Sequence, residues 1–153
     1  MTRTGIGYDS HRLETGRRFV LAGVEIAHHS GPAAHSDGDV LTHAVIDALL
    51  GAAGLGDIGQ HYPDTDPAYA GAASLDLLRD TVARAATAGF TPEYADTTVV
   101  CEQPKLGPHR EAIATALTDA LGAPVNVKFT TGEAIGFVGR GEGIAALAAV
   151  TVA

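Results

Sequence analysis

Residues 39–53 read Asp-Val-Leu-Thr-His-Ala-Val-Ile-Asp-Ala-Leu-Leu-Gly-Ala-Ala, and this stretch decides the fold. Val40, Leu41, Ala44, Val45, Ala48, Leu49 and Ala52 recur at helical spacing and make one apolar stripe. The spacing predicts a helix over Asp39–Ala53. Asp39, His43 and Asp47 fall on the other face, one turn apart. Ile46 and Leu50 flank them, so that face is a site or a subunit contact rather than a purely solvated surface.

Working outward, Arg3–Tyr8 alternates weakly and reads as a strand ending at Asp9. Phe19–Ile26 reads as a second strand or hairpin arm, and His28–Asp37 as loop. Gly54–Ala73 is a glycine-rich acidic loop of a length that is unusual unless functional. A helix follows over Ser74–Ala88, with Ser74 as its N-cap and Gly89 as its C-cap. Tyr94–Glu102 reads as a strand and Pro108–Leu121 as a helix closed by Gly122. Val125, Val127 and Phe129 alternate with Asn126, Lys128 and Thr130 as in a half-buried strand. A glycine-punctuated loop leads to a last strand, Ile144–Val152. Several strand pairs lack an intervening helix, which favours an α+β fold: a mixed β-sheet with helices on one face. With 153 residues and no linker, the expectation is a single domain over 1–153.

The 18 acidic and 10 basic residues give a net charge of −8, and its distribution is informative. Between Phe19 and Leu78 there is no Lys or Arg, but there are eight carboxylates and five of the seven histidines. Such a surface repels nucleic acid and anionic membranes, so neither is an expected partner. Asp and His without compensating cations are also the raw material of a metal site. No apolar run is long enough to span a bilayer and no leader is apparent, so a cytoplasmic location is expected. The lone Cys101 allows no intrachain disulfide, and its apolar neighbours favour plain packing.

Asp9 and His11, two residues apart on an extended chain, project to one side. With His43 from the helix they would supply three zinc ligands and leave a fourth position open. The plainer reading of Asp9-Ser10-His11 is a surface Asp beside a structural His. His35-Ser36-Asp37-Gly38-Asp39 is either a capping loop or a set of polar donors beside a helix N-terminus. Asp47 could orient His43 or hold a substrate hydroxyl. Asp57, Asp64 and Asp66 are either acidic turn residues or hydroxyl ligands for a polyol. Thr130-Thr131-Gly132-Glu133 brings hydroxyls suited to phosphate and a carboxylate suited to magnesium, or is ordinary strand-end turn chemistry. Residues 136–143 lack a Walker lysine and a following helix, so they are no nucleotide-binding glycine loop.

Taken in order, Gly7-Tyr8-Asp9-Ser10-His11, Ala34-His35-Ser36-Asp37-Gly38-Asp39-Val40, Leu55-Gly56-Asp57-Ile58-Gly59, Tyr62-Pro63-Asp64-Thr65-Asp66 and Gly139-Arg140-Gly141-Glu142-Gly143 span nearly the whole chain. With Pro104-Lys105, Asn126-Val127-Lys128 and Thr130-Thr131, they resemble the 2-C-methyl-D-erythritol 2,4-cyclodiphosphate synthase family.

The resemblance implies a homotrimer whose sheets pack about a threefold axis, with active sites between subunits. It implies Asp9, His11 and His43 as ligands of Zn2+ or another divalent cation, and Glu133 as holder of Mg2+ or Mn2+ at a diphosphate. His35 and Thr131 would stabilise the transition state. Substrate carrying a CDP moiety would also meet Ser36, Asp57, Ile58, Gly59, Tyr62, Asp64 and Asp66. Its nucleotide would lie against Cys101, Pro104, Lys105 and Leu106, and Thr130, Phe137 and Arg140 would also bind substrate. Ser10, Gly132 and Ala134 depart from the family's usual run, and His28, His29, His61 and His109 receive no role.

The implied reaction has the substrate's 2-phosphate attack the β-phosphorus, close a cyclodiphosphate and expel CMP. The nucleophile is already anionic, which suits a sequence with no Ser/His/Asp triad or Cys/His pair. A metal-dependent phosphohydrolase and a non-catalytic nucleotide- or metal-binding subunit are the rival readings of the same residues.

Overall fold

The computed structural model describes residues 1–153. Its strands are β1 (Arg3–Thr15), β2 (Phe19–Leu21), β3 (Val24–Ile26), β4 (Ser30–Pro32), β5 (Pro92–Val100), β6 (Val125–Thr130) and β7 (Gly143–Val152). Its helices are α1 (Val40–Ala53), α2 (Ile58–His61), α3 (Ser74–Thr87), α4 (Arg110–Leu121) and α5 (Gly136–Gly139), with 3₁₀ turns at Pro67–Tyr69 and Gly107–His109. Five strands form one sheet in the order β4-β1-β7-β5-β6, and β2 and β3 pair as a hairpin. Only β5 and β6 run parallel, so the sheet is mixed as expected. α1 packs on β1 and β7, α4 on β6, and α3 on α1 and α4.

α1 forms where its apolar spacing places it. Asp39 caps it by accepting from the Thr42 amide and hydroxyl at 3.0 and 2.8 Å. Gly54, at φ 71°, ends it in the left-handed conformation that glycine adopts without steric cost. The helix is buried on nearly every side: Ile46 and Leu50 are as inaccessible as Leu41 and Leu49, and only His43, Asp47 and Gly51 reach the surface. Its second face is thus mostly core, with His43 and Asp47 the polar exceptions.

Two glycines on β1 set how close this helix lies. A Cβ on Gly5 would sit 2.1 Å from the Ala48 carbonyl oxygen, and one on Gly7 2.0 Å from that of Ala44. Both contacts are with backbone, so no rotamer change can relieve them. The close approach of β1 and α1 brings Asp9 and His11 to His43.

β1 does not end at Asp9. It runs to Thr15 because β7 pairs with it from Arg3 to Arg12 and β4 from Leu13 to Thr15. Long-range pairing, which local alternation cannot reveal, supplies the extra residues. Phe19–Ile26 is two short strands, turned at Ala22-Gly23 with φ of 51° and 70°. The long loop at Gly54–Ala73 is broken by α2 and the Pro67–Tyr69 turn.

The face of the sheet away from the helices carries Ile6, Tyr8 and Leu147 at 81%, 56% and 46% exposure. Beside them Lys128 pairs with Asp96 at 2.7 Å. No helix is long and apolar enough to cross a membrane.

Candidate active site

Asp9 and His11 stand on the α1 side of β1, two residues apart, and His43 leaves the first turn of α1 toward them. Asp9 Oδ2 lies 2.9 Å from His11 Nε2 and 3.1 Å from His43 Nδ1. The two imidazoles meet edge to face, with centroids 5.6 Å apart. One ligand atom from each residue falls within 4.8 Å of the others.

Burial opposes ionisation of Asp9, but its contacts with His11 and His43 outweigh that and bring its carboxyl down to about 2. Burial likewise opposes charge on His43, while the facing Asp9 carboxylate shifts its basicity upward. His11 Nε2 is buried and, despite its nearness to Asp9, makes no hydrogen bond. A buried nitrogen left so, facing a carboxylate oxygen and a second imidazole, is what a divalent ion would satisfy. The donor set of one carboxylate and two imidazoles, with room on its cleft side, fits zinc or a similar ion.

The three residues line a cleft of about 460 Å³ with Ala33, His35, Ser36, Ile58, Gly59, Tyr62 and Asp64. His35 donates from Nε2 to the Asp66 carbonyl at 3.0 Å, which places its ring beside the acidic loop. Ser36 Oγ lies 3.1 Å from His43 Nε2.

Asp57 caps α2: its carboxylate accepts from the Gln60 amide, and the Gln60 side chain accepts from the Asp57 amide. Asp66 caps the 3₁₀ turn through Ala68 N. The Tyr62 hydroxyl donates to Asp80 at 2.6 Å, and burial together with that carboxylate pushes it up to about 12. Its ring lines the cleft, while its hydroxyl holds α3. Asp47 neither orients His43 nor reaches the cleft; it accepts from the Ile58 amide at 3.0 Å and anchors α2. On a helix, residues one turn apart share a face but diverge toward different neighbours.

The other sequence-selected residues lie apart from this cleft. Cys101 is buried, its amide donating to the Thr130 carbonyl at 2.9 Å. Burial pushes its thiol up to about 12, which suits the packing reading. Pro104 and Lys105 follow on the surface, and Leu106 is buried. Thr131 Oγ accepts from the Glu133 amide at 3.1 Å. Glu133 and Ala134 hold left-handed φ of 53° and 61°, uncommon for residues with a Cβ. Phe137 lines a small hollow with Ser10, His11 and Arg12, and Arg140 lines another with His28, His29 and Gln103. Within one chain, then, Asp9, His11, His35, Ser36, His43, Ile58, Gly59, Tyr62 and Asp64 converge. Thr130, Thr131, Glu133 and the Cys101–Leu106 stretch do not join them.

Two participants escape the sequence reading. Ser74 is the first residue of α3 rather than its cap; Ala73 occupies the cap position without a side-chain bond. The Ser74 hydroxyl instead reaches His43 Nε2 at 2.8 Å. Glu102 accepts from the Gly132 amide at 2.8 Å and so fixes the turn before Glu133. Neither contact leaves a spacing signal, because each joins elements about thirty residues apart.

Fold and cleft together define an α+β protein with an Asp/His/His site suited to a divalent ion. The profile of the YgbB family matches residues 2–153, and the chain belongs to that family, the family of the 2-C-methyl-D-erythritol 2,4-cyclodiphosphate synthases. The synthase of Salinibacter ruber is 54% identical over 153 residues, covering 98% of each chain. That of Symbiobacterium thermophilum is 55% identical over 152 residues, covering 97% of each. A solved 2C-methyl-D-erythritol-2,4-cyclodiphosphate synthase in its CDP-bound form superposes with a TM-score of 0.90 at 40% identity, covering 99% of this chain and all of its own.

Proposed function

We propose that this chain converts 4-diphosphocytidyl-2-C-methyl-D-erythritol 2-phosphate to 2-C-methyl-D-erythritol 2,4-cyclodiphosphate with release of CMP. The observation that carries the reading is the convergence of Asp9, His11 and His43, with an unsatisfied His11 nitrogen, in the cleft of a chain from this family.

Asp9, His11 and His43 would hold the metal, zinc being the best match to the donor set, and Glu133 would hold magnesium or manganese at the diphosphate. Bound there, divalent cations would polarise a phosphoryl oxygen and neutralise charge between the reacting phosphates. His35 and Thr131 orient the phosphoryl oxygens, and Ser36 contacts the substrate beside them. The 57–66 loop grips the erythritol hydroxyls through Asp57, Gly59, Asp64, Asp66 and the backbone at Ile58, with the Tyr62 ring as a wall. The nucleotide lies on Cys101, Pro104, Lys105 and Leu106, and Thr130, Phe137 and Arg140 add further substrate contacts. Holding the 2-phosphate near the β-phosphorus removes several kcal/mol of ordering cost from ring closure, on the order of what proximity contributes elsewhere.

The active species is a homotrimer with sheets around a threefold axis, acting in the cytoplasm, each chain contributing one domain. Two features support the assembly: the apolar open face at Ile6, Tyr8 and Leu147, and the separation of the two residue groups within one chain. A neighbouring subunit would bring its Thr131–Glu133 and Cys101–Leu106 segments to this cleft.

Incubation with the CDP substrate, followed by phosphorus NMR, tests the reaction. Release of CMP together with a cyclic diphosphate, abolished by chelator, is expected. Linear phosphates would instead show hydrolysis and reject the reading.

A further inference from the structure

His43 offers its two ring nitrogens to different neighbours. Nδ1 faces Asp9 Oδ2 at 3.1 Å, and Nε2 faces Ser74 Oγ at 2.8 Å. Only a bare Nδ1 can ligate a metal beside Asp9, so the site needs the tautomer with its proton on Nε2. Something must select that tautomer.

Ser74 is wholly inaccessible to solvent. Its hydroxyl hydrogen-bonds Asp37 Oδ1, and its amide donates to Asp37 Oδ2 at 2.9 Å. The Asp39 amide also donates to Asp37 Oδ1, at 3.1 Å. An ionised carboxylate with backbone donors on both oxygens can only accept. The single Ser74 hydroxyl proton is therefore committed to Asp37. Turning it toward His43 would set two oxygen lone pairs against each other at close range. What remains at Ser74 Oγ is a lone pair, and the group facing it is His43 Nε2, which must donate.

We propose that Asp37 and Ser74 are positioning residues that act through His43. The ordered bonds Nε2–H to Ser74 Oγ, and Oγ–H to Asp37, hold the imidazole in its metal-binding tautomer and fix its ring plane. Ser36 Oγ also lies near Nε2, at 3.1 Å, but no carboxylate claims its proton. It sets no direction and stays free for substrate. The arrangement serves the usual purpose of a partner behind a metal-ligating histidine, here reached through a hydroxyl rather than directly. It also gives α3 a part in the site, since Ser74 opens that helix and Asp37 lies in the loop before α1.

The inference rests on the reading of Asp9, His11 and His43 as a metal site, and the two are separable. In the zinc-loaded protein, two-bond ¹H–¹⁵N correlations should show His43 protonated at Nε2, with that proton exchanging slowly in the wild type and faster in Ser74→Ala. An Nε2 proton that exchanges equally fast in the wild type and in Ser74→Ala would overturn the proposal. Zinc affinity, measured against a chromophoric chelator, should fall about 10- to 100-fold in Ser74→Ala, the usual range for such partners. It should recover in Ser74→Thr, which keeps the hydroxyl, and hold at the wild-type value in Ser36→Ala. Wild-type affinity in Ser74→Ala, or the loss appearing in Ser36→Ala instead, overturns the proposal. If Ser74→Ala binds zinc normally while His43→Ala does not, the metal reading survives and only the role of Ser74 falls. If His43→Ala leaves zinc affinity intact, both fall.

Discussion

The cleft at Asp9, His11 and His43 and the segment from Thr130 to Arg140 differ in how much of their surroundings they own. In the first, each polar atom has a partner within the chain or converges on one point with the others: His43 touches Asp9, Ser36 and Ser74, and the backbone beneath is core. In the second, Thr130 and Glu133 are exposed, and Glu133 points from a left-handed backbone with only Thr131 beside it. Ile135 is 75% exposed and Phe137 38%. One region is finished inside the fold. The other is exposed, and in the proposed trimer a neighbouring subunit would cover it.

The comparison can be broken most directly at His43. We expect His43→Ala to lose bound zinc, read by atomic absorption, and turnover to fall at least about a thousandfold, equivalent to roughly 4 kcal/mol of transition-state stabilisation. Normal zinc content and rate would remove the cleft's claim to be the metal site. Next in size is Gly7→Ala. The added Cβ meets the Ala44 carbonyl at 2.0 Å. α1 must shift from β1, at a cost of about 3 kcal/mol by the scale of overpacked cores, seen as a lower midpoint in denaturant. Zinc affinity should fall with it, because the same contact places His43 against Asp9. A variant with unchanged stability would show that the close approach is not needed.

The exposed segment should behave in the opposite way. Glu133→Gln should lower activity and shift the magnesium titration to higher concentration, yet change stability by no more than about 0.5 kcal/mol, as exposed substitutions do. Zinc content should stay at the wild-type level. Loss of zinc in this variant would join the two regions that the single chain keeps apart. The smallest expected effect is at Cys101, beside the nucleotide segment. With its thiol pushed up to about 12 by burial, it should resist alkylation at neutral pH in the native protein and react once unfolded. Rapid labelling of the native state would mean that this strand end is far more open than its 5% exposure indicates.

Much of this was legible beforehand, and for specific reasons. α1, α3, α4 and β6 were visible because their apolar periods are local, and the three helices are followed by Gly54, Gly89 and Gly122. The convergence of Asp9, His11 and His43 was foreshadowed by the Asp-x-His spacing and by His43 on a helix, and the family resemblance named the three together. What could not be read was set by pairing at a distance. The extension of β1 past Asp9 depends on β4 and β7. Asp47, read as a partner for His43 or for a substrate hydroxyl, accepts instead from the Ile58 amide.

By itself, then, the sequence determined the three long helices, the mixed sheet and the residue types of the candidate metal site, since periodicity and donor chemistry are properties of short stretches. Only the tertiary structure decided which hydroxyl backs His43 and which residues share its cleft. It also decided how near β1 comes to α1. Those depend on backbone approach between segments far apart in the chain. A missing Cβ at Gly5 and Gly7 permits that approach, but nothing local announces what it will meet.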